Sequence, residues 1–175
     1  WAAALFMMFA HGIISPMLFA VCGAFKHHYH SMEIGAMRGM AKHSPWLATS
    51  MMFGWMASLG LPLLAGFVAE LMLMVAYWYA YGWWILLPGL VLAITAAYYL
   101  WSMQRTIFES SDPHRGILPD TMHGEEPRDI TWHENAGMFI LGALAILFGI
   151  LPAIFGKERF YKVAQREEKE IRKLK

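Results

Sequence analysis

Long apolar runs alternate with short polar segments along this chain of 175 residues. Residues 2–25 form the first run, in which His11 is the one group that could carry charge near neutral pH, apart from the weakly acidic Cys22. A helix crossing a bilayer needs about 20 such residues, and 2–25 fits one span. Residues 26–45 are polar and histidine-rich, with Lys26, Arg38 and Lys42, and predict a loop with a short surface helix. The next run, 46–80, has 35 residues and a single charge, Glu70. As one helix it would reach about 52 Å, against a hydrocarbon core of about 30 Å. The stretch "SLGLPLLAGF" interrupts it with Gly60, Pro62 and Gly66, because proline removes a helix hydrogen bond and clashes with the preceding turn. Two passes, about 46–61 and 63–80, are expected around this discontinuity.

"YWYAYGWW", Tyr77 to Trp84, suits a chain crossing the headgroup level, where Trp and Tyr concentrate. A fourth span is expected over 83–104. Residues 105–135, with Pro113, Pro119 and Pro127, are too hydrophilic to insert. "TWHE", Thr131 to Glu134, ends that loop with the signature of a capping box and predicts the start of a last span over 136–156. The pattern therefore predicts an all-α polytopic membrane protein with about five transmembrane helices, one of them discontinuous. Its membrane domain is 1–156, followed by a charged tail, 157–175.

Composition agrees: 58% of residues are hydrophobic and 15% charged, against about 45–50% and about 25% in soluble domains. The apolar runs make the lipid bilayer a partner, and a net charge of +1 suggests neither nucleic acid nor another polyanionic partner. The lone cysteine, Cys22, provides neither a disulfide framework nor a cysteine metal site and is read as a small packing residue. The sequence has no Gly-rich nucleotide loop and no cysteine set for an iron–sulfur cluster, so no cofactor is expected in this chain. An apolar run opening on Trp1 without a charged leader is not a signal peptide; the expectation is a fragment, a processed chain or one half of a split protein.

Glu70 and His11 are the candidate chemistry. A carboxylate at membrane depth costs about 2.5–3.5 kcal/mol on insertion scales and faces a protein interior or a water-filled cavity. Following a helix break strengthens its case, since unpaired backbone groups are tolerated in a membrane only in protein or beside a cavity. The competition between desolvation and a nearby cation is what a proton carrier exploits. The alternative is an interfacial Glu near a helix end. His11 lies near mid-span and is the natural relay by its ordinary titration range, with Ser15 four residues on along the same face. The alternative there is a core histidine bonded to a neighbouring helix. In "KHHYHSME", His27 and His30 share a helical face, but no carboxylate partner is identifiable from sequence, so no metal site is expected. His43, His114, His123 and His133 show no recognisable spacing.

Four stretches, in order, carry a resemblance. "HGIISPMLF", "ASLGLPLLAGFVAE", "YYLWSMQRTIF" and "DITWHENAGMFILGALAILFGILPAIF" resemble the HGxxSxxLF, lAsLGlPglxgFvgE, YsLxmxxRxxFG and final-helix stretches of the antiporter-like proton-pumping subunits of complex I, of the subunit M (chain 4) type. The resemblance covers roughly residues 1–156. It implies the last five helices of a fourteen-helix fold, with Gly60, Pro62 and Gly66 in the discontinuous one. It also implies that His11 belongs to a central hydrophilic axis and Glu70 is the terminal proton-handling carboxylate. Three departures stand out: "KHHYHSM" replaces a YERxxTR-like motif, Ala69 replaces a common Gly, and the first inverted repeat with its lysines is absent.

The resulting expectation is a proton-translocating, non-redox subunit of a complex I-like NADH–quinone oxidoreductase in the cell (inner) membrane, with other membrane subunits as partners. Its proton path would comprise His11, Glu70 and Ser15. The alternatives are a subunit of a multisubunit cation/proton antiporter or membrane-bound hydrogenase, or a non-conducting structural subunit.

Overall fold

A computed structural model describes residues 2–30, 32–34, 38–109 and 129–151. The expected tail, 157–175, and most of the 105–135 loop lie outside the described residues. Within them all regular structure is helical: α1 (Ala2–Tyr29), α2 (Met40–His43), α3 (Pro45–Ser58), α4 (Ala65–Tyr81), α5 (Leu86–Met103) and α6 (Trp132–Ile150). A 3-10 turn, Gly82–Ile85, joins α4 to α5, and a π turn, Gln104–Phe108, closes α5. By length and composition three helical stretches are long and apolar enough to cross a membrane: Ala3–Tyr29, Ala65–Phe108 and Trp132–Ile150.

α1 is the centre of the packing. Its buried positions, among them Phe6, Ala10, Ile14, Met17, Val21 and Phe25, recur at the three-to-four-residue spacing that aligns side chains on one helix face. Met17 and Val21 pack with Leu47, Ala48 and Met51 of α3. Ile14 packs with Ala57 and Leu64, and Phe6 and Ala10 pack with Ala65 and Ala69 of α4. Thus α3 lies along the C-terminal half of α1 and α4 along the N-terminal half. Both run antiparallel to α1. The fourteen residues of α3 reach only about 21 Å, too short to span alone. The two passes expected at 46–61 and 63–80 are therefore helices 45–58 and 65–81 set end to end, together matching the length of α1. Among the described residues the apolar helices are α1, α3, α4, α5 and α6, but α3 and α4 share one pass, so the expected five passes become four, with the discontinuity inside the second.

Gly82, at φ +58°, turns the chain back. α5 passes Ser58, where the Tyr99 hydroxyl lies 2.8 Å from Ser58 Oγ, and ends with Ile107 in the cluster containing Phe25 and Tyr29. α6 starts at that same end, with Glu134 beside His28, and runs antiparallel to α1 until Phe148 meets Phe9 edge-on at 4.9 Å between ring centroids.

Polar contacts concentrate at this end. Tyr29 Oη donates to Ser44 Oγ at 3.0 Å, with both residues buried. Asp129 accepts from the Trp46 and Leu47 backbone N–H groups at 2.9 and 3.1 Å, satisfying donors that the first turn of a helix leaves open. The anticipated capping box is formed: Thr131 N–H donates to Glu134 Oε2 at 2.9 Å. Arg38 Nε lies 3.5 Å from Glu109 Oε2, pairing the loop before α2 with the end of α5. Asp129→Ala leaves the α3 donors without their anion; capping losses of this kind cost about 0.5–2 kcal/mol. The expected outcome is a lower thermal unfolding midpoint in detergent, with Asp129→Asn keeping part of the difference.

Candidate functional site at the helix break

The interruption between α3 and α4 is closed by two successive turns. At the end of α3, Gly60 takes φ +76°, the left-handed conformation that glycine adopts without a Cβ penalty. Its N–H reaches Ala57 O at 3.4 Å, and Leu61 N–H reaches back to Met56 O at 3.0 Å, so the last carbonyls of the helix gain partners. Leu64 N–H then bonds Leu61 O at 3.1 Å. In this second turn Pro62 holds the first inner position and Leu63, at φ +77°, the second. That is the pattern of a type II turn, in which the second inner residue is ordinarily glycine. A leucine held in this conformation stores backbone strain of the kind that collects at functional sites.

Close packing holds the break in place. A Cβ on Gly66 would collide with the Ala57 carbonyl oxygen, and one on Gly149 of α6 with the Leu63 carbonyl oxygen. Of these, Gly66 was expected in the discontinuity; Gly149 was not. Its sequence signal is weak, because a glycine inside an apolar helix does not reveal which neighbouring backbone approaches it.

Glu70 stands in the second turn of α4 and is half-buried. Helical side chains lean toward the N-terminus of their helix, so this carboxylate points back at the break. It lies over Gly60, where any Cβ would collide with Oε2. Gly60 is thus needed twice, for its backbone angle and for the space the carboxylate occupies. Among the described residues Glu70 makes no hydrogen bond or ion pair. A polar pair stands nearby in the chain: Ser58, the last residue of α3, with Tyr99. Neither was singled out from sequence; a serine two residues before a Gly/Pro break is the available signal, whereas Tyr99 becomes visible only when α5 is placed against α3.

His11 and Ser15 are brought together. Ser15 Oγ lies 3.0 Å from His11 Nδ1 and 3.2 Å from Nε2. The partner of His11 is therefore on its own helix, and the imidazole is exposed on α1 rather than bonded across to a neighbouring helix. No hydrogen bond or ion pair joins His11 to Glu70. Their depth is nevertheless similar, because each follows directly on an alanine, Ala10 and Ala69, that shares one apolar cluster. Any proton exchange between them requires intervening groups or water.

A family profile described as "NADH:quinone oxidoreductase/Mrp antiporter, TM" matches residues 1–95. The chain belongs to this family. The subunit M of the F(420)H(2) dehydrogenase of Methanosarcina mazei is 32% identical over 152 residues, which is 87% of this chain and 29% of that protein. NADH-quinone oxidoreductase subunit 13 of Thermus thermophilus is 29% identical over 154 residues, 87% of this chain and 30% of that protein. The family member thus spans less than a third of the length of these relatives. Among solved structures, respiratory complex I from Thermus thermophilus with bound NADH matches with a TM-score of 0.75 and 28% identity, over 92% of this chain and 33% of that one. The Mrp complex from Dietzia sp. DQ12-45-1b shares the fold, with a TM-score of 0.71 at 22% identity, over 88% of this chain and 35% of that one.

The double demand on Gly60 gives a direct test. Gly60→Ala forces a Cβ into the left-handed region, at about 1–2 kcal/mol, and against the carboxylate. In a Glu70→Ala background the same change should cost only the backbone part. A thermal-denaturation double-mutant cycle in detergent should therefore show coupling between the two positions, and strict additivity would refute the contact.

Proposed function

We propose that this chain is part of a proton-translocating membrane subunit of a complex I-like oxidoreductase, without a redox centre of its own. The observation that carries the reading is the Glu70 carboxylate, held against a broken helix in a chain of this family. Ionisable groups at membrane depth are costly and mark ion paths. Breaks that expose backbone groups recur where membrane helices form ion and substrate sites. Glu70 is the group that takes and releases the proton, and His11 with Ser15 is a second station at similar depth. Redox chemistry belongs to partner subunits, and changes in their charge or packing shift the proton affinity of Glu70.

The exposed surface supports a position in a larger membrane assembly. No residue of the most apolar stretch within Ala65–Phe108 is fully buried inside the chain, and the His11 imidazole faces outward. Lipid suits the former. The latter needs protein or water, supplied by the rest of a longer subunit or by a neighbouring one. A second reading, a subunit of an Mrp-type cation/proton antiporter, is favoured by the joint family and the shared fold with the Dietzia Mrp complex. Co-purifying subunits separate the two: redox subunits with quinone-dependent activity support the first, and an assembly driven by cation exchange alone supports the second.

Glu70→Gln keeps the shape of the side chain and removes its proton exchange. In the intact assembly, reconstituted in vesicles, it should reduce proton pumping by about a hundredfold, the lower end of the range for loss of a positioned proton-transfer group, while subunit composition is unchanged. His11→Ala should reduce pumping as well, and Ser15→Ala less. Normal pumping in Glu70→Gln would leave a purely structural role.

A further inference from the structure

Outside the helix break, the structure joins three groups far apart in sequence: His27 and His28 at the C-terminal end of α1, and Glu134 in the first turn of α6. We propose that they form a binding site for one divalent transition-metal ion of the zinc class, pinning the end of α1 to the start of α6.

The geometry carries the proposal. Each residue offers a ligand atom, and these atoms all lie within 4.8 Å of one another. His28 Nε2 is 3.0 Å from Glu134 Oε2, and His27 Nδ1 is 3.4 Å from Glu134 Oε1. A tetrahedral ion with bonds of about 2.0–2.1 Å has ligand atoms about 3.3–3.4 Å apart; the two histidines approach different oxygens of the one carboxylate at close to that separation, and a small rotation of the exposed His27 ring draws the set, now within 4.8 Å, onto one ion. The two rings stand edge to face, with centroids 4.9 Å apart, and each presents a nitrogen to the carboxylate. Two imidazoles and one carboxylate suit zinc and its neighbours. A single carboxylate does not suit calcium, which takes six to eight oxygens.

The carboxylate is also fixed from behind. Thr131 N–H and Thr131 Oγ1 each donate to Glu134 Oε2 at 2.9 Å, which orients the carboxylate and leaves Oε1, the oxygen facing His27, as the one to ligate an ion. His27 is 72% exposed and His28 only 10%. The ion would therefore be reached from the aqueous side through His27, with an open coordination position for water. The trio lies at the polar end of the bundle with Tyr29 and Asp129, whereas Glu70 packs near the opposite half of α1. The proposal is independent of the proton path.

The test uses the full-length chain in its purified native assembly, stripped by a chelator and dialysed against micromolar free zinc, with bound zinc measured by mass spectrometry. The variants are His27→Gln, the His27→Gln/His28→Gln pair, Glu134→Gln and, as a control, His133→Gln, which changes a neighbouring histidine outside the trio. The site predicts one more zinc per chain in the wild type than in the double variant. It also predicts affinity about tenfold or more weaker in His27→Gln, at least the loss that removing an outer support of a ligand brings, and no change in His133→Gln. His27 is exposed at a helix end, so its variant should fold normally even if Glu134→Gln does not. Equal zinc content in the wild type and the double variant would overturn the proposal and leave a hydrogen-bonded clamp. Equal loss in His133→Gln would overturn it as non-specific surface binding.

Discussion

Backbone polar groups inside a bilayer must find partners within the protein, and the break between α3 and α4 is where this constraint bears hardest. The chain meets it with a glycine at positive φ, two returning N–H bonds and a proline turn. It then presses the result against Gly66 and Gly149, where backbone can approach backbone. Everything of chemical interest depends on that closure. α4 starts where it does because the turn releases it at the level of Ile14, and its second turn therefore places Glu70 back over Gly60. A continuous helix through this region would carry the same carboxylate past the bundle with no recess to receive it.

The two ends of the bundle are built differently. At the C-terminal end of α1, buried and half-buried polar pairs fix α2, α3, the close of α5 and the start of α6: Tyr29 with Ser44, Asp129 with the first turn of α3, Arg38 with Glu109, and Glu134 with its histidines. Toward the other end the contacts are apolar, and aromatic residues such as Tyr79, Trp83 and Trp84 lie open, as expected where rings meet lipid headgroups.

The chain also leaves much of its apolar surface open. No residue of the most apolar part of its second long apolar stretch is buried and its mid-span histidine looks outward, while its relatives are about three times as long. The helices described are tied together chiefly through α1. α5 reaches α3 beside the break through Tyr99, whose hydroxyl meets Ser58 and whose ring meets Trp55. Such a helix needs lipid or further protein on its outer face, which agrees with membership in a family of large membrane assemblies.

Local chemistry made much of this legible from sequence. Apolar runs of bilayer length, a Gly/Pro break, a Thr–Glu capping box and one carboxylate in an apolar stretch follow from the composition of neighbouring residues, because hydrophobic burial and backbone dihedral preferences act over a few positions. The pairing of His11 with Ser15 is of the same kind, four residues apart on one helix. Tertiary structure alone decided that the two halves of the 46–80 run lie end to end rather than as separate passes. It decided equally that Gly149 receives the Leu63 carbonyl, that Tyr99 meets Ser58, and that Glu134 reaches His27 and His28. Each of these depends on which helix faces settle against α1. That choice is made by packing among distant segments, and no local pattern in the chain encodes it.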